Sequence, residues 1–323
     1  MNLEAFLAEW HNESPTVLVH TSGSTGEPKP MWVEKRRMEA SARMTCDFLG
    51  LHEGDTALLC MSLDYIAGKM MVVRSLVRGL RLITVEPSGH PLAGVAGQLD
   101  FAAMVPMQVW NSLQVAEERE RLMTIGNLII GGGAIDDRLA HELAGFPNRV
   151  WSTYGMTETL SHIALRRLSG PGATEWYTPL PGVGLSLTAD SCLVIDAPAV
   201  HDGRLVTNDI AEMAPDGRFK ILGRKDNVIC SGGLKIQAEE VERLLRAHLR
   251  EPFIITKRRD EKFGEVVVLL TESDVDAARD VCQRVLPKYW QPRAYVHTDR
   301  IPLTETGKPA RKQAEAMVQN PSR

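Results

Sequence analysis

The sequence predicts an α/β protein with a mainly parallel sheet, followed by a smaller α+β domain. Short β-type runs alternate with helix-compatible stretches from Leu58 to Thr153, an order typical of parallel sheets with helices on their faces. From Gly182 to Leu222, prolines, glycines and short apolar runs dominate, which predicts a small antiparallel, barrel-like section. After Arg224 the helix and strand patterns begin again, which indicates a second domain.

The individual elements follow from these patterns. Buried strands are expected at Leu58–Met61, Leu82–Val85, Phe101–Val105 and Leu128–Ile130. Helix-compatible segments cover residues 65–79, 107–121 and 136–145. In the C-terminal part we expect a helix over 238–249, strands near 253–256 and 265–271, and a helix over 274–286. The predicted domains are therefore residues 1–223 and 224–323.

Composition and charge exclude several functional classes. The 323 residues are 44% hydrophobic and 24% charged, which is ordinary for a globular protein with a large core. A net charge of −4 gives no reason to expect nucleic-acid binding. Arg74 and Arg78 interrupt the longest apolar stretch, so no membrane span is expected, and residues 1–10 lack the basic start of a signal peptide. The five cysteines are scattered, which fits reduced thiols in a cytoplasmic protein. The sequence is compatible with both a monomer and a homo-oligomer.

A loop rich in glycines and hydroxyl groups, Thr21-Ser22-Gly23-Ser24-Thr25-Gly26, follows an apolar run, and Lys29 comes three residues later. Glycines let backbone N–H groups approach an anion, while hydroxyls add donors and lysine adds charge. The loop is not a Walker P-loop, because Glu27 and Pro28 follow the second glycine. Taken alone, this pattern fits a phosphate site and a glycine–serine linker equally well.

Three further segments follow in order: Val150–Thr159, Gly223–Ile236 and Pro302–Lys308. Together with the glycine-rich loop they resemble the motifs of the adenylate-forming superfamily, which contains acyl- and aryl-CoA ligases, luciferases and adenylation domains. The resemblance extends from about Val17 to Arg311. It implies an enzyme that uses ATP and Mg²⁺ to convert a small carboxylic acid into an acyl-adenylate and then transfers the acyl group to CoA.

The resemblance assigns roles to the segment around Tyr154-Gly155-Met156-Thr157-Glu158. It implies that the Tyr154 ring stacks on adenine, that the Thr157 hydroxyl meets the α-phosphate and that the Glu158 carboxylate binds Mg²⁺. These roles suit the chemistry of a planar ring, a hydroxyl donor and a hard oxygen ligand. The segment follows a predicted strand, so it is expected at the carboxyl edge of the sheet, where α/β folds bind ligands. A strand-end turn with a capping threonine is the alternative.

The resemblance also implies contacts to the adenine and to the ribose of the nucleotide. Gly131-Gly132-Gly133-Ala134 ends the strand before the Tyr154 segment, where the superfamily lines its adenine pocket; a simple tight turn is the alternative. Asp209 corresponds to the carboxylate that accepts from the ribose hydroxyls, and Arg224 is expected to share this contact. Asn208 stands where the superfamily commonly has glycine.

The C-terminal domain is implied to be mobile and to carry a catalytic lysine. Lys308 matches the residue that bridges the acid carboxylate and the α-phosphate during adenylation. Asp226 matches the hinge between the two domains. Gly232 and Gly233 match the segment that approaches the pantetheine arm of CoA after the domain rotates.

The acid pocket is assigned to Tyr65, Lys69, Arg74 and Met156. Tyr65 stands where the superfamily has an aromatic or histidine gate. Within the superfamily the chain is most similar to the o-succinylbenzoate–CoA ligases of menaquinone biosynthesis, especially short forms, through Ser152–Thr159, Ser161–Arg166 and Met71–Leu76. That acid keeps a second carboxylate, which needs a cation or several donors. An exposed basic face is the alternative for Arg74.

Most superfamily members carry a long N-terminal subdomain before the phosphate loop, whereas twenty residues precede Thr21 here. We therefore expect an N-terminally shortened AMP-binding domain that retains its nucleotide motifs. Another acyl- or aryl-CoA ligase, or an enzyme that delivers its product to a carrier-protein thiol, is the chemical alternative. A non-catalytic AMP-binding module is disfavoured by the presence of Glu158 and Lys308.

Overall fold

The computed structural model describes residues 1–20, 30–135, 137–304 and 309–319. The chain divides into two compact units. The first contains Met1–Ser186, Val194–Leu205 and Met213–Lys220, and the second contains Leu187–Leu193, Val206–Glu212 and Ile221–Arg323. The domain boundary that the sequence places at residue 223 stays a prediction.

The first unit begins with helix α1 (Leu3–His11), strands β1 (Thr16–His20) and β2 (Pro30–Glu34), and helix α2 (Lys35–Leu49). Asn2 caps α1 by accepting a hydrogen bond from the Ala5 amide. Strands β1 and β2 form an antiparallel two-stranded sheet in which His20 lies opposite Pro30. The two ends of the segment that joins these strands are therefore held together.

A seven-stranded sheet dominates the first unit. Its elements are β3 (Thr56–Leu59), α3 (Ile66–Arg78), β4 (Arg81–Thr84), β5 (Phe101–Met104), α4 (Pro106–Leu113), α5 (Ala116–Thr124), β6 (Asn127–Ile130), α6 (Asp137–Ala144), β7 (Arg149–Gly155), β8 (His162–Arg167) and β9 (Thr178–Pro179). The strand order is β4-β3-β5-β6-β7-β8-β9. The first five of these strands run parallel, and β8 and β9 add antiparallel pairs. The predicted α/β fold with a mainly parallel sheet is confirmed.

Strands β3, β5 and β6 are buried along their whole length, as expected for parallel strands that helices cover on both faces. Leu58, Leu128 and Ile130 from these strands pack in one core with Val109 of α4 and Leu122 of α5. The single helix predicted over residues 107–121 is wrong, because α4 and α5 are separate. Val115 between them is extended, with φ −113° and ψ 119°.

A four-stranded sheet contributes segments to both units. It consists of β10 (Gly184–Leu187), β11 (Cys192–Asp196), β12 (Arg204–Met213) and β13 (Phe219–Arg224), in this order. Tight turns join consecutive strands: the Ser191 amide donates to the Thr188 carbonyl, and the Gly217 amide donates to the Ala214 carbonyl. Short strands therefore lie where the sequence predicts them.

The second unit contains a five-stranded sheet in the order β15-β14-β17-β16, with β18 also paired to β17. Its elements are β14 (Val228–Ser231), β15 (Leu234–Gln237), α7 (Ala238–Arg246), β16 (Phe253–Asp260), β17 (Gly264–Thr271), α8 (Val275–Val285), β18 (Ala294–His297) and α9 (Arg311–Gln319). Ile236, Val241 and Cys282 belong to its main core. The predicted helices and strands of this region are all present.

Helix α9 is tied to the second unit by a buried ion pair. Arg311 donates to both carboxylate oxygens of Glu242, at 3.0 and 2.7 Å, and to the Ile255 carbonyl at 3.1 Å. Just before α9, Leu303 pairs with Pro309 in an isolated bridge. Among the described residues, none of the helices has the length and apolar character needed to cross a bilayer.

Candidate active site

Two of the predicted nucleotide segments lie side by side at the carboxyl edge of the large sheet. Ile130 at the end of β6 pairs with Ser152 of the parallel strand β7. Residues 131–134 leave β6 at this edge, and Tyr154 and Gly155 end β7 there. Since parallel strands present their carboxyl ends on one side, the structure brings these two sequence segments together at the edge where α/β folds bind ligands.

Close contacts or backbone conformation favour glycine at three positions of these segments. A β-carbon added to Gly131 would lie 2.5 Å from the Thr153 hydroxyl oxygen, and one added to Gly155 would lie 2.3 Å from the Ser161 carbonyl oxygen. Gly132 adopts φ 78°, which other residues rarely adopt. Gly133 and Ala134 complete this turn. At Gly131 and Gly155 the neighbouring atoms leave no space for a side chain.

Aromatic neighbours fix the Tyr154 side chain from inside the first unit. The Tyr154 ring packs edge-on against Phe219, with 5.3 Å between the ring centroids, and lies 5.9 Å from the Tyr177 ring. Tyr177 stacks on Phe219 and shares a hydrogen bond with Ser152. A ring held in this way keeps one orientation without a ligand, which suits a stacking surface for a base.

The residues after β7 form a short 3₁₀ turn, Thr157–Thr159. The Thr159 hydroxyl accepts from the Met156 amide, and its single proton can be donated to the Ser161 carbonyl at 2.8 Å or to the Met156 carbonyl at 3.0 Å. Thr157 is buried, whereas the Glu158 side chain is exposed. The turn thus presents one carboxylate to solvent at the edge of the sheet, where a cation can reach it.

Helix α3 carries two of the four residues predicted for the acid, Lys69 and Arg74, and Tyr65 directly precedes it. Arg74 is only 2% exposed; it donates to the Ser161 hydroxyl at 2.5 Å, and its Nε has no hydrogen-bond partner. Within the described ranges no carboxylate pairs with it, and burial lowers the pKa of its guanidinium to about 10. The alternative of an exposed basic face is wrong for Arg74, because the side chain is buried. By contrast, Arg78, one turn further along α3, pairs with Asp47.

Arg74 is the first member of a chain of polar contacts that continues through Ser161 to His162 and Thr45. The Ser161 hydroxyl lies 3.3 Å from His162 Nδ1, and His162 Nε2 lies 3.0 Å from the Thr45 hydroxyl. Burial, together with the positive charge of Arg74, holds the pKa of His162 well below its usual value. The imidazole is therefore neutral at pH 7, and Arg74 is the charged member of this buried group.

Tyr65 and Lys69 are placed differently. Tyr65 directly precedes α3, makes no side-chain capping hydrogen bond and is half-buried. Lys69 is 3% exposed, and its ammonium group donates to the Leu18 carbonyl of β1 at 2.5 Å. The structure thus gives the Lys69 charge a backbone partner instead of leaving it free for an acid.

In the second unit, Arg224 links two of the predicted site residues. Its guanidinium donates to the carboxylates of Asp209 and Asp226, each at 3.1 Å. Asn208 also donates to Asp226. Asn208 lies within β12 and does not adopt a positive φ, so this position does not need the glycine that the superfamily commonly has there.

Gly232 and Gly233 form the turn between β14 and β15, with φ 58° and 86°. Two successive positive φ angles are typical of a two-residue hairpin turn and favour glycine at both positions. The Gly232 amide donates to the Phe263 carbonyl. The turn presents backbone without side chains, as a thin ligand chain requires.

The phosphate loop from Thr21 to Gly26, Lys29 and the catalytic candidate Lys308 lie outside the described residues. Sequence reasoning missed Tyr177 and Phe219, which hold Tyr154, and Glu9, which contacts β1. None of these three lies in a sequence motif. Only the spatial packing of distant segments identifies them.

Comparison with known proteins identifies a family that matches most of the chain. Residues 4–206 match the AMP-binding enzyme family. The chain is 29% identical to 2-succinylbenzoate–CoA ligase of Salmonella typhimurium (strain LT2) over 309 residues, which is 89% of this chain and 66% of that protein. The chain therefore spans about two thirds of the length of this curated relative.

Two solved structures extend the comparison. An acyl-CoA synthetase (AMP-forming)/AMP-acid ligase II-like protein from Dyadobacter fermentans is 33% identical, with a TM-score of 0.67 over 96% of this chain and 92% of that one. A variant of E. coli MenE with bound OSB-AMS is 26% identical, with a TM-score of 0.74 over 95% and 70% of the two chains. Both have the fold described above.

Proposed function

Because the chain belongs to the AMP-binding enzyme family, we propose that it activates a carboxylic acid with ATP and transfers the acyl group to CoA. The main support for this proposal is the arrangement of residues at the carboxyl edge of the seven-stranded sheet. There the glycine turn after β6 and the Tyr154–Glu158 segment lie together. The carbonyl of Ser161, whose hydroxyl binds the buried Arg74, packs against Gly155. An aromatic ring for the base and an exposed carboxylate for the metal suit adenylation, and the buried cation suits an acid with a second carboxylate.

In the first half-reaction, an oxygen of the acid carboxylate attacks the α-phosphorus of ATP. An anhydride bond forms between acid and phosphate, and the bond to pyrophosphate breaks. Tyr154 holds adenine, Thr157 donates to the α-phosphate, and Lys308 neutralises the charge that develops on the reacting oxygens. Catalysis of phosphoryl chemistry rests mainly on such positioning and charge stabilisation.

Mg²⁺ fits the exposed carboxylate of Glu158. The ion is commonly bound through one or two carboxylates together with substrate phosphates. Among the residues that the structure describes, no group of three or more His, Cys, Asp or Glu side chains is placed to hold a metal alone, so the phosphates of ATP would complete the ligand set. When bound, the ion would neutralise charge on the departing pyrophosphate.

In the second half-reaction, the CoA thiol attacks the acyl carbon, the thioester forms, AMP leaves and the thiol proton passes to solvent. Asp209 and Arg224 hold the ribose throughout. We assign the hinge to Asp226 and the pantetheine contact to Gly232 and Gly233. In this scheme residues 224–323 form the mobile domain that first delivers Lys308 and then the glycine turn.

We propose o-succinylbenzoate as the acid, and therefore a step of menaquinone biosynthesis in the cytoplasm. Arg74 and the Ser161 hydroxyl bind its second carboxylate, while Tyr65 and Met156 line the pocket. The names of the Salmonella and E. coli relatives support this substrate. All five cysteines are free thiols, which fits a reducing compartment.

The test is ATP–pyrophosphate exchange against a panel of carboxylic acids, followed by thioester formation with CoA or a carrier-protein thiol as acceptor. We expect Mg²⁺-dependent exchange with o-succinylbenzoate and thioester with CoA. Exchange with other acids only would overturn the substrate assignment. Thioester on the carrier alone would overturn the CoA assignment, and no exchange with any acid would overturn the whole proposal.

A further inference from the structure

One backbone position of β1 is held by side chains from two helices. The Leu18 carbonyl accepts a hydrogen bond from Lys69 Nζ of α3 at 2.5 Å. The Leu18 amide donates to Glu9 Oε1 of α1 at 3.3 Å. Both backbone groups of this residue are therefore bound by side chains of opposite charge, two residues before β1 ends at His20.

The β1–β2 sheet depends on such contacts. It has two strands and is separate from the seven-stranded sheet. An isolated two-stranded hairpin is marginally stable at best, and each of its strands has backbone groups that no strand partner can bind. At Leu18, Lys69 and Glu9 supply the missing partners and connect the hairpin to α1 and α3.

The Lys69 ammonium lies in apolar, buried surroundings. The side chain is 3% exposed, and its ammonium lies 5.7 Å from the centre of the fully buried Phe6 ring of α1. Burial lowers the pKa of Lys69, and the Glu9 carboxylate partly opposes this effect. Burying a charge is costly unless polar groups compensate it, and the Leu18 carbonyl supplies one such group.

We propose that Lys69 is a positioning residue for ATP: by binding the Leu18 carbonyl it fixes the hairpin whose strands flank the phosphate loop. This inference rests on the proposed function, because it assigns ATP to that loop. Lys69 then contributes to nucleotide binding without touching the nucleotide or the acid. This role differs from the acid contact that the sequence alone favours for this residue.

The test is the variant Lys69→Met in the full chain, which keeps an unbranched side chain but removes the donor. We expect the KM for ATP in ATP–pyrophosphate exchange to rise about tenfold, because a charge-assisted hydrogen bond is lost, with the KM for the acid unchanged. Amide hydrogen exchange of residues 16–20 and 30–34 should become faster. Lys35→Met is the matched control: Lys35 also donates to a backbone carbonyl, that of Asn12, but at the other end of the hairpin. Its KM values should stay within about twofold of the wild type.

The outcomes separate the two proposals. A rise in the KM for the acid alone would show that Lys69 binds the acid, and unchanged KM values with unchanged hydrogen exchange would show that it does not hold the hairpin. Both results overturn the inference and leave the proposed function standing. If none of the acids supports ATP–pyrophosphate exchange by the wild type, the proposed function fails. Amide hydrogen exchange and equilibrium binding of ATP, each compared between the variant and the wild type, then decide the role of Lys69. If Lys69→Met does not fold, Glu9→Leu gives the answer through the same measurements.

Discussion

The two compact units hold their predicted site residues in different ways. In the first unit the cation predicted for the acid is buried: Arg74 is 2% exposed and donates to the Ser161 hydroxyl. In the second unit the ion pair of Arg224 with Asp226 lies near the surface, since these two side chains are 40% and 52% exposed. Asp209, the other partner of Arg224, is 12% exposed. Exposed ion pairs contribute only about 0–1 kcal/mol each.

This difference indicates how each unit can work. A buried site keeps its geometry without a ligand, so the first unit can provide a preformed surface for adenine and acid. Surface ion pairs exchange partners at little cost, so the residues around Asp226 can change their contacts between two half-reactions. Four predictions test this contrast, in order of decreasing effect.

Lys308→Ala should reduce acyl-adenylate formation by about a hundred- to a thousandfold, because a charge that stabilises the transition state is lost. ATP binding should persist, since the adenine surface that we propose lies in the first unit. Pyrophosphate exchange measures the first effect, and equilibrium binding of ATP measures the second. Near-normal exchange in this variant would remove the second unit from the chemistry of adenylation.

Arg74→Met should lower kcat/KM for an acid with a second carboxylate by about a hundredfold, since a buried charged contact to substrate disappears. An acid without that carboxylate should react as in the wild type. Arg78→Met is the control, because Arg78 lies on the same helix but pairs with Asp47 near the surface. Equal losses for both acids would show that Arg74 only supports the fold.

Asp226→Pro should reduce thioester formation at least about tenfold and leave pyrophosphate exchange near normal. Proline fixes φ near −65° and would hold the chain in one conformation at the proposed hinge. Asp226→Ala keeps backbone freedom and should affect both half-reactions little. Parallel losses of exchange and thioester formation in the proline variant would argue against a hinge here.

Acidification should destabilise the first unit through His162. Its pKa is held well below 6.5 in the folded chain by burial and Arg74, so only the unfolded chain takes up a proton as the pH falls through 6.5. The free energy of unfolding should then fall by up to about 1.4 kcal/mol per pH unit. His162→Gln should flatten this dependence in denaturant unfolding between pH 5 and 8. Identical slopes for variant and wild type would contradict the assigned pKa.

The sequence predicts the fold class well because parallel strands such as β3, β5 and β6 are continuous apolar runs with turn residues at their ends. It does not predict the break between α4 and α5, since no glycine or proline marks Val115. It also groups Lys69 and Arg74 as equal candidates for the acid. Only packing separates them, because their partners, Leu18 and Ser161, are distant in sequence.

The paired ends of two connecting segments have a consequence for ligand binding. His20 lies opposite Pro30, and Leu303 opposite Pro309, so the fold has already closed each span that contains a predicted phosphate-binding lysine. A ligand that contacts these spans does not have to bring their ends together. The entropic cost of closing each loop therefore arises during folding and not during ligand binding. Substitutions inside either span can therefore alter affinity while the strands on both sides keep their register.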